Sequence, residues 1–600
     1  MSGPAGLLSL LKRLFRHVTP RRRFQLTMLL GITAASSAAE VLSLGAVVPF
    51  IGMLTEPDRV MTYAFAGRLI RAFGLSSVPS LVLALTVAFS GAALLAGGLR
   101  LLLLWLSIRL TNETGVDLSV EVYRRTLFQP YSVHVARSSS KIISGITQKV
   151  NNATGVLMSL VTVITSAALF GAILATLLAI DPWLATTSMI GFGISYGVIA
   201  WLTRHRLKRN SECIAREQTT VIKALQEGLG AIRDVLLDGT QAVYTAVYAD
   251  GVRKLQRASG ENSYITQAPR FAMETLAMLL LAALAYSMRE RQNSVGAVLP
   301  VLGALVLGAQ RLLPLLQQLY GNWAVVAGSQ GALVDVLGLL EQPLPDDAVQ
   351  PQPEPLAFRE AIVFDRVRFR YSPNGPWVLD GLSLRIPVGS RVGLVGTTGS
   401  GKSTALDLLM ALMDPTEGQI LVDGRPIVRE VRRAWQRAIA HVPQSIFLAD
   451  ASVAQNIAFG VPIEQIDHAR IREAARRAQI AEFIEDGAEG YRAMVGERGI
   501  RLSGGQRQRI GIARALYKEA SVLVFDEATS ALDGATEEAV MDAIEGLDRD
   551  LTILIVAHRL TTLKGCDTVV KLERGRVGSK GSFEEFSHAR SFDRQEWVRT

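Results

Sequence analysis

Cysteine is almost missing from this chain: Cys213 and Cys566 are the only two in 600 residues. That excludes a disulfide-stapled scaffold and a zinc cluster. Charged residues make up only 20% of the chain, yet that share still requires a soluble part. What is abundant is apolar. The hydrophobic fraction is 49%, or about 58% with the 52 glycines counted in, against roughly 45–50% for soluble domains counted the same way. The mean hydropathy is +0.27. A disordered chain and a purely soluble enzyme are both excluded. The formal charge is +9, the length suggests several domains, and a membrane half joined to a soluble half fits these numbers.

Lys12, Arg13, Arg16, Arg21, Arg22 and Arg23 precede the first long apolar run, Phe24 to Leu54. That run is far too long for the core of a cleavable signal. About 20 residues of helix cross the hydrocarbon core, and runs of that order recur at about 24–54, 78–108, 156–180, 183–203, 268–288 and 295–320. They predict six membrane helices in an all-α transmembrane domain over residues 1–340. Asp181-Pro182 forms the turn between the third and fourth. The basic N-terminal arm, the stretch between helices 2 and 3 (Arg124, Arg125, Arg137, Lys141, Lys149) and that between helices 4 and 5 (Arg204, Arg206, Lys208, Arg209, Lys223, Arg233) lie on one side. By the positive-inside rule that side is cytoplasmic, and both termini with it. Both connections are long, polar and helix-patterned, so each continues a membrane helix into the cytosol. Thr55 to Ser77, with Tyr63, Phe65, Leu69, Ile70 and Phe73, reads as a short amphipathic helix on the outer surface.

Residues 341–356, EQPLPDDAVQPQPEPL, hold five prolines and read as an extended linker. From 357 to 600 short β-rich runs (AIVFDRVRF, RVGLVG, QILVD, VLVFDE, LTILIVAH) alternate with helical segments. This pattern predicts an α/β domain with a mainly parallel sheet.

Gly396-Thr397-Thr398-Gly399-Ser400-Gly401-Lys402-Ser403 fits the P-loop pattern, follows a strand and opens a helix that begins with Ser403 and Thr404. Glycines let backbone N–H groups wrap phosphates, and the helix N-terminus adds its dipole. Lys402 is expected to reach the β/γ-phosphates of ATP, and Ser403 to hold Mg2+. The apolar strand Val522–Phe525 ends in Asp526 and Glu527. Asp526 is the expected Mg2+ residue, and Glu527 the general base for the attacking water.

Leu502-Ser503-Gly504-Gly505-Gln506 stands between these two motifs. With it the chain resembles the ATP-binding cassette (ABC) superfamily over its whole soluble half. The resemblance gives roles to further residues in the family's order. Tyr371 stacks on adenine. Gln444, in HVPQ, senses Mg2+ and contacts the membrane part. Val495 to Gly499 resembles an exporter loop. Ser530 to Asp533 crosses the dimer seam, and His558 meets the γ-phosphate. Ser503, Gly504, Gly505 and Gln506 cap an ATP held by the other cassette. One chain carries one cassette and six helices, so the resemblance implies a homodimer. The family's coupling helices fall within about Phe128–Ser140 and Gly228–Leu237.

Three arginines fall inside predicted membrane helices: Arg100, Arg270 and Arg311. One reading is snorkelling to the interface, or pairing with Glu274, one turn from Arg270, or with Glu40 in helix 1. The other is a basic ring in a translocation cavity, holding a phosphate or pyrophosphate. The phrases AAEVLSLGAVVPFIGML, APRFAMETL and QRLLP resemble PglK-type flippases of lipid-linked oligosaccharides. That resemblance implies an anionic lipid-linked glycan, moved by ATP hydrolysis from the cytoplasmic to the outer leaflet of the inner membrane. A lipid A-like glycolipid, a peptide or a drug is the alternative cargo; an importer or an ATP-gated channel is a remoter one. Membrane lipids are expected partners and nucleic acid is not.

Overall fold

A bilayer offers no water to backbone groups, so a spanning segment must satisfy them internally, as a helix does. The computed structural model describes residues 6–55, 78–180, 182–291, 312–345, 348, 350–527, 534–557 and 560–589. It divides into two units. The first comprises Met1–Gln129 and Val133–Ala348, the second Pro130–Ser132 and Val349–Thr600.

The first unit is helical. Its elements are α1 (Leu7–His17), α2 (Pro20–Thr55), α3 (Val78–Leu127), α4 (Tyr131–Ala136), α5 (Ser139–Ser144), α6 (Val150–Ile180), α7 (Pro182–Gly230), α8 (Ile232–Leu237), α9 (Gln241–Arg291), α10 (Leu312–Ala327) and α11 (Gln330–Leu340). The first residues of α4 group with the second unit. Among the described residues, three helical stretches are long and apolar enough to cross a membrane: Pro20–Ser43, Val82–Leu127 and Ser139–Thr176. The bent pair α10 and α11, broken by 55°, makes a fourth if it counts as one span. Helices also occupy the fourth and fifth apolar runs, as α7 and α9. Most of the sixth run lies outside the described residues, as does the expected amphipathic helix after Thr55.

Two helices run well past the ends of their apolar stretches. Residues after 108 in α3 and after 203 in α7 mix charged and polar residues with apolar ones and continue the backbone ladder without a break. The short helices α4 and α8 lie within the two windows expected for coupling helices. One apolar cluster joins Leu10 and Leu14 of α1, Leu118 and Val122 of α3, Val150 and Val156 of α6, and Leu333, Val336 and Leu337 of α11. At its edge a single π-helical turn, Gly145–Lys149, precedes α6. The Lys149 side chain is 1% exposed, with Nζ 2.5 Å from Asp335 and 3.0 Å from Thr219. The basic N-terminal residues are partly folded in: Arg13 pairs with Glu341, and Arg22 with Asp117 and Glu113.

The second unit is α/β. A four-stranded antiparallel sheet has the order β2-β1-β4-β5, with β1 (Ala361–Phe369), β2 (Leu379–Pro387), β4 (Glu417–Val422) and β5 (Arg425–Pro426). A six-stranded sheet has the order β10-β9-β3-β8-β7-β6, built from β3 (Arg391–Val395), β6 (Ile439–Val442), β7 (Val522–Asp526), β8 (Thr552–Val556), β9 (Thr568–Glu573) and β10 (Arg576–Gly581). All its pairings are parallel except β9 with β10. The central strands are apolar on both faces because both are covered, one by α14 and the other by α12 together with the four-stranded sheet. Helix α12 (Lys402–Leu409) follows β3, α13 (Arg429–Ala438) precedes β6, and α14 (Gly504–Tyr517) precedes β7. Trp435 of α13 is fully buried and donates its Nε1–H to Leu409 O at 2.6 Å, which fastens α13 to the end of α12.

Candidate ATP site

Ligands of open α/β sheets bind beyond the carboxyl ends of the strands. Here β3 ends at Val395, β8 at Val556 and β7 at Asp526, and the pairings Leu394↔Val556 and Asp526↔Val556 align the three ends. With strands about 4.8 Å apart, the P-loop and the acidic pair face each other across one intervening strand. β8 leads toward His558, which lies outside the described residues together with Ser530–Asp533.

The loop after β3 is shaped by glycine at two places. A Cβ on Gly396 would stand 2.5 Å from both Leu572 O and Ser400 Oγ. Gly401 has φ +100°, which strains any other residue, and a Cβ there would stand 2.6 Å from Leu379 Cδ2. Gly401 caps α12, whose free N–H groups point back into the loop. Lys402 is buried. Its ammonium donates to Gly396 O at 2.8 Å and to Thr397 O at 3.2 Å, so it spans the loop from within. Burial pushes its pKa down, while Glu527 and Asp526 act in the opposite sense. The Ser400 hydroxyl is buried without a hydrogen-bond partner. A cradle that any Cβ would fill, an orphan hydroxyl and a buried ammonium fit a phosphate chain.

Across the sheet, Asp526 and Glu527 are half-buried. Glu527 has φ +49°, a strained conformation for a non-glycine residue, and its N–H is fixed on Val556 O at 3.0 Å. Gln444 donates from Nε2 to Glu527 Oε2 at 2.8 Å. The base expected from sequence and the expected sensing glutamine are therefore direct neighbours. Among the described residues no cluster of three or more His, Cys, Asp or Glu could hold a metal. Ser403, Asp526 and Gln444 are oxygen donors of the kind that suits Mg2+, which takes most of its ligands from water and phosphate.

Tyr371 is 61% exposed. Its hydroxyl lies 3.0 Å from Thr404 Oγ1, and its ring meets Phe369 edge-on at 5.0 Å. Its remaining surface is open for stacking, beside the helix that starts at the P-loop.

The signature forms its own small structure. Ser503 is the N-cap of α14: its Oγ accepts from Gln506 N at 3.2 Å, and Gln506 Oε1 accepts from Ser503 N at 2.8 Å. This is a capping box, legible in sequence as S-x-x-Q. Gly504 and Gly505 open the helix, so its N–H groups present an anion-binding end. Among the described residues no hydrogen bond joins Ser503–Gln506 to the P-loop of the same chain.

Sequence reasoning passed over Asp407 in α12. Burial first, then the nearby charge of Asp526, pushes its pKa up to about 6. Its place on the P-loop helix, five residues after Lys402, was the available signal.

In the helical unit, Arg100 NH2 lies 2.8 Å from Glu40 Oε2, and Arg270 Nε lies 2.8 Å from Glu274 Oε1. Both pairings named as alternatives in the sequence are thus formed. Each leaves the guanidinium partly open in the single chain, at 43% exposure for Arg100 and 61% for Arg270. Arg311 lies outside the described residues.

Residues 379–530 match the family model for the ABC transporter. Over 589 residues the chain is 30% identical to an ATP-dependent lipid A-core flippase of Cupriavidus metallidurans, covering 96% of this chain and 93% of that one. Over 501 residues it is 30% identical to a beta-(1→2)glucan export ATP-binding/permease protein of Rhizobium meliloti, covering 80% and 82%. The solved structure of a bacterial Atm1-family ABC exporter with ATP bound matches in fold with a TM-score of 0.77 at 24% identity, covering 97% of this chain and 99% of that one. The chain belongs to the ABC transporter family: it is a multi-pass ABC exporter, a helical transmembrane region followed by an α/β ATP-binding cassette that couples ATP hydrolysis to transport.

Proposed function

We propose that this exporter flips a phosphorylated amphipathic glycolipid from the cytoplasmic to the outer leaflet of the inner membrane. The observation that carries the reading is the exposure of Arg100, on a helix apolar enough to cross a membrane, and of Arg270 on α9, each paired with a carboxylate on one side and partly open on the other. A guanidinium has five donors in a fixed fork, so a single carboxylate leaves donors for a lipid phosphate. The flippase relative supports a lipid cargo. A polyprenyl-pyrophosphate oligosaccharide satisfies the reading. The name of that relative favours, as a second form of it, a lipid A-like glycolipid.

The ATPase acts as a homodimer in this reading. The membrane domain spans 1–340, the linker 341–356 and the cassette 357–600. The P-loop from Gly396 to Thr404 holds the phosphates, and Lys402 neutralises them. Ser403, Asp526 and Gln444 would hold Mg2+, which when bound would supply positive charge to the phosphates. Glu527 takes the proton of the attacking water, and His558 meets the γ-phosphate. Tyr371 stacks on adenine. Ser503 to Gln506 and Asp533 close on the nucleotide of the partner cassette. The test is ATPase stimulation in lipid nanodiscs by a polyprenyl-pyrophosphate oligosaccharide, a lipid A-type glycolipid, their dephosphorylated forms, a hydrophobic dye and a peptide. The reading expects stimulation by the phosphorylated lipids alone. Stimulation by the dye or the peptide alone contradicts it.

A further inference from the structure

Glu40 is a carboxylate 1% exposed on a helix that is apolar enough to cross the membrane. Such a charge is costly there and marks a functional site by default. It does not stand alone. Thr33, Ser36, Ser37, Glu40 and Ser43 are all buried and recur every one to three residues along one stripe of α2. The hydroxyls of Ser36 and Ser37, and of Thr111 on α3, are buried without hydrogen-bond partners. This seam keeps polar groups next to the carboxylate where packing alone favours apolar ones.

The pair itself is lopsided. Glu40 is withdrawn and Arg100, whose NH2 is 2.8 Å from Glu40 Oε2, is 43% exposed. A pair serving stability alone gains little over well-packed apolar residues. A withdrawn anion behind a displayed cation suits a different task. Carboxylate and phosphate are both oxyanions that compete for the same guanidinium donors. Arg100 with no local counter-charge would hold a phosphorylated headgroup too tightly to let it leave, and would stand uncompensated in the bilayer after it left.

We propose that Glu40 is the resident counter-ion of Arg100, taking back the guanidinium when a lipid phosphate departs, and so sets how fast cargo is released. No bond is made or broken; one ion pair replaces another. The inference rests on the phosphorylated-lipid reading and assigns to Glu40 the release half of that cycle.

The experiment uses the full-length protein in nanodiscs, with a polyprenyl-pyrophosphate oligosaccharide and a lipid A-type glycolipid as probes and neutral polyprenol as control. It reads the half-saturating concentration and the maximum of lipid-stimulated ATPase. Glu40→Gln keeps the shape and removes the competitor. The half-saturating concentration is expected to fall by about tenfold, an ordinary coupling between ligands of one group, and the maximum rate to fall with it. Arg100→Ala is expected to raise the half-saturating concentration. Glu40→Asp keeps the charge but draws it back, and is expected to fall between wild type and Glu40→Gln, which serves if the glutamine variant folds poorly. If wild type responds to phosphorylated lipid but Glu40→Gln and Glu40→Asp leave the half-saturating concentration unchanged or raise it, the counter-ion role is overturned and the cargo reading stands. If wild type responds to neither phosphorylated lipid beyond neutral polyprenol, the cargo reading falls and takes the role with it.

Discussion

Gln444 donates to Glu527 Oε2 at 2.8 Å, joining residues 83 apart in sequence. The contact makes the base expected from sequence and the glutamine of the HVPQ segment direct neighbours. Glu527→Gln keeps an amide able to pair with Gln444 but no basic oxygen. Since positioned bases contribute about 10²–10⁴-fold, ATP turnover is expected to fall by at least about a hundredfold, with ATP affinity kept within about twofold. Steady-state ATPase and equilibrium nucleotide binding, measured on the same preparation, check it. Turnover near wild type removes Glu527 from the chemistry.

Lys402 is expected to matter for binding first. Its charge-assisted contacts to phosphate are worth about 1.5–3 kcal/mol, so Lys402→Ala weakens nucleotide affinity by about tenfold to a hundredfold. Because the signature serine caps its own helix and has no hydrogen bond to its own P-loop among the described residues, it is free to act on a partner. Mixing a Ser503→Arg chain with a Lys402→Ala chain therefore restores one composite site, and partial ATPase activity is expected from crosslinked mixed dimers. Crosslinked mixed dimers as inactive as either parent argue against sites shared in trans.

The Lys149–Asp335 pair, with Lys149 buried and Asp335 partly exposed, predicts an asymmetric mutational response. Lys149→Met leaves Asp335 and Thr219 facing an apolar side chain, and losing the charge-assisted contact costs about 1–3 kcal/mol, less than breaking a fully buried pair. Replacing both partners, Lys149→Met with Asp335→Leu, is expected to recover most of the loss. Thermal unfolding in detergent reads both. Equal destabilisation by the single and double variants contradicts a paired role for Lys149.

Asp407 gives a pH prediction. Its pKa is pushed up to about 6 in the fold, against about 3.9 for a free aspartate. The folded state binds a proton that the unfolded state has released, so this contribution to stability falls as pH rises between about 4 and 6. Above about pH 6 the loss is complete. Asp407→Asn removes it: variant and wild type are expected to match near pH 4, and the variant to be more stable by about 1–2 kcal/mol at pH 7. Nucleotide-free unfolding across that range measures the difference. A variant less stable than wild type at pH 7 refutes it.

Contiguous motifs carried their meaning directly. The P-loop, the Asp526-Glu527 strand end and the signature each depend on neighbours in sequence, because a turn, a strand and a capped helix are local structures. Contacts across the sheet were not legible: no spacing rule joins Gln444 to Glu527 or Tyr371 to Thr404. Helix ends were legible only as ends of apolarity. α3 and α7 continue through polar residues, since backbone bonding does not require a lipid-facing side chain. The π-helical turn at Gly145–Lys149 had no sequence signature. The Arg270–Glu274 pair was legible from its one-turn spacing and Glu40 only as an acid in helix 1; side-chain geometry was needed to join Glu40 to Arg100.

The central claim, ATP-driven flipping of a phosphorylated glycolipid, is tested most directly by a leaflet-exchange assay in proteoliposomes. A fluorescent polyprenyl-pyrophosphate oligosaccharide and a fluorescent lipid A-type glycolipid are each compared with their dephosphorylated forms. The account predicts ATP-dependent movement of at least one phosphorylated lipid by the wild-type protein, none by Glu527→Gln, and little of the dephosphorylated forms. Equal flipping with and without the phosphate, or flipping of neither phosphorylated lipid by a protein that hydrolyses ATP, contradicts it.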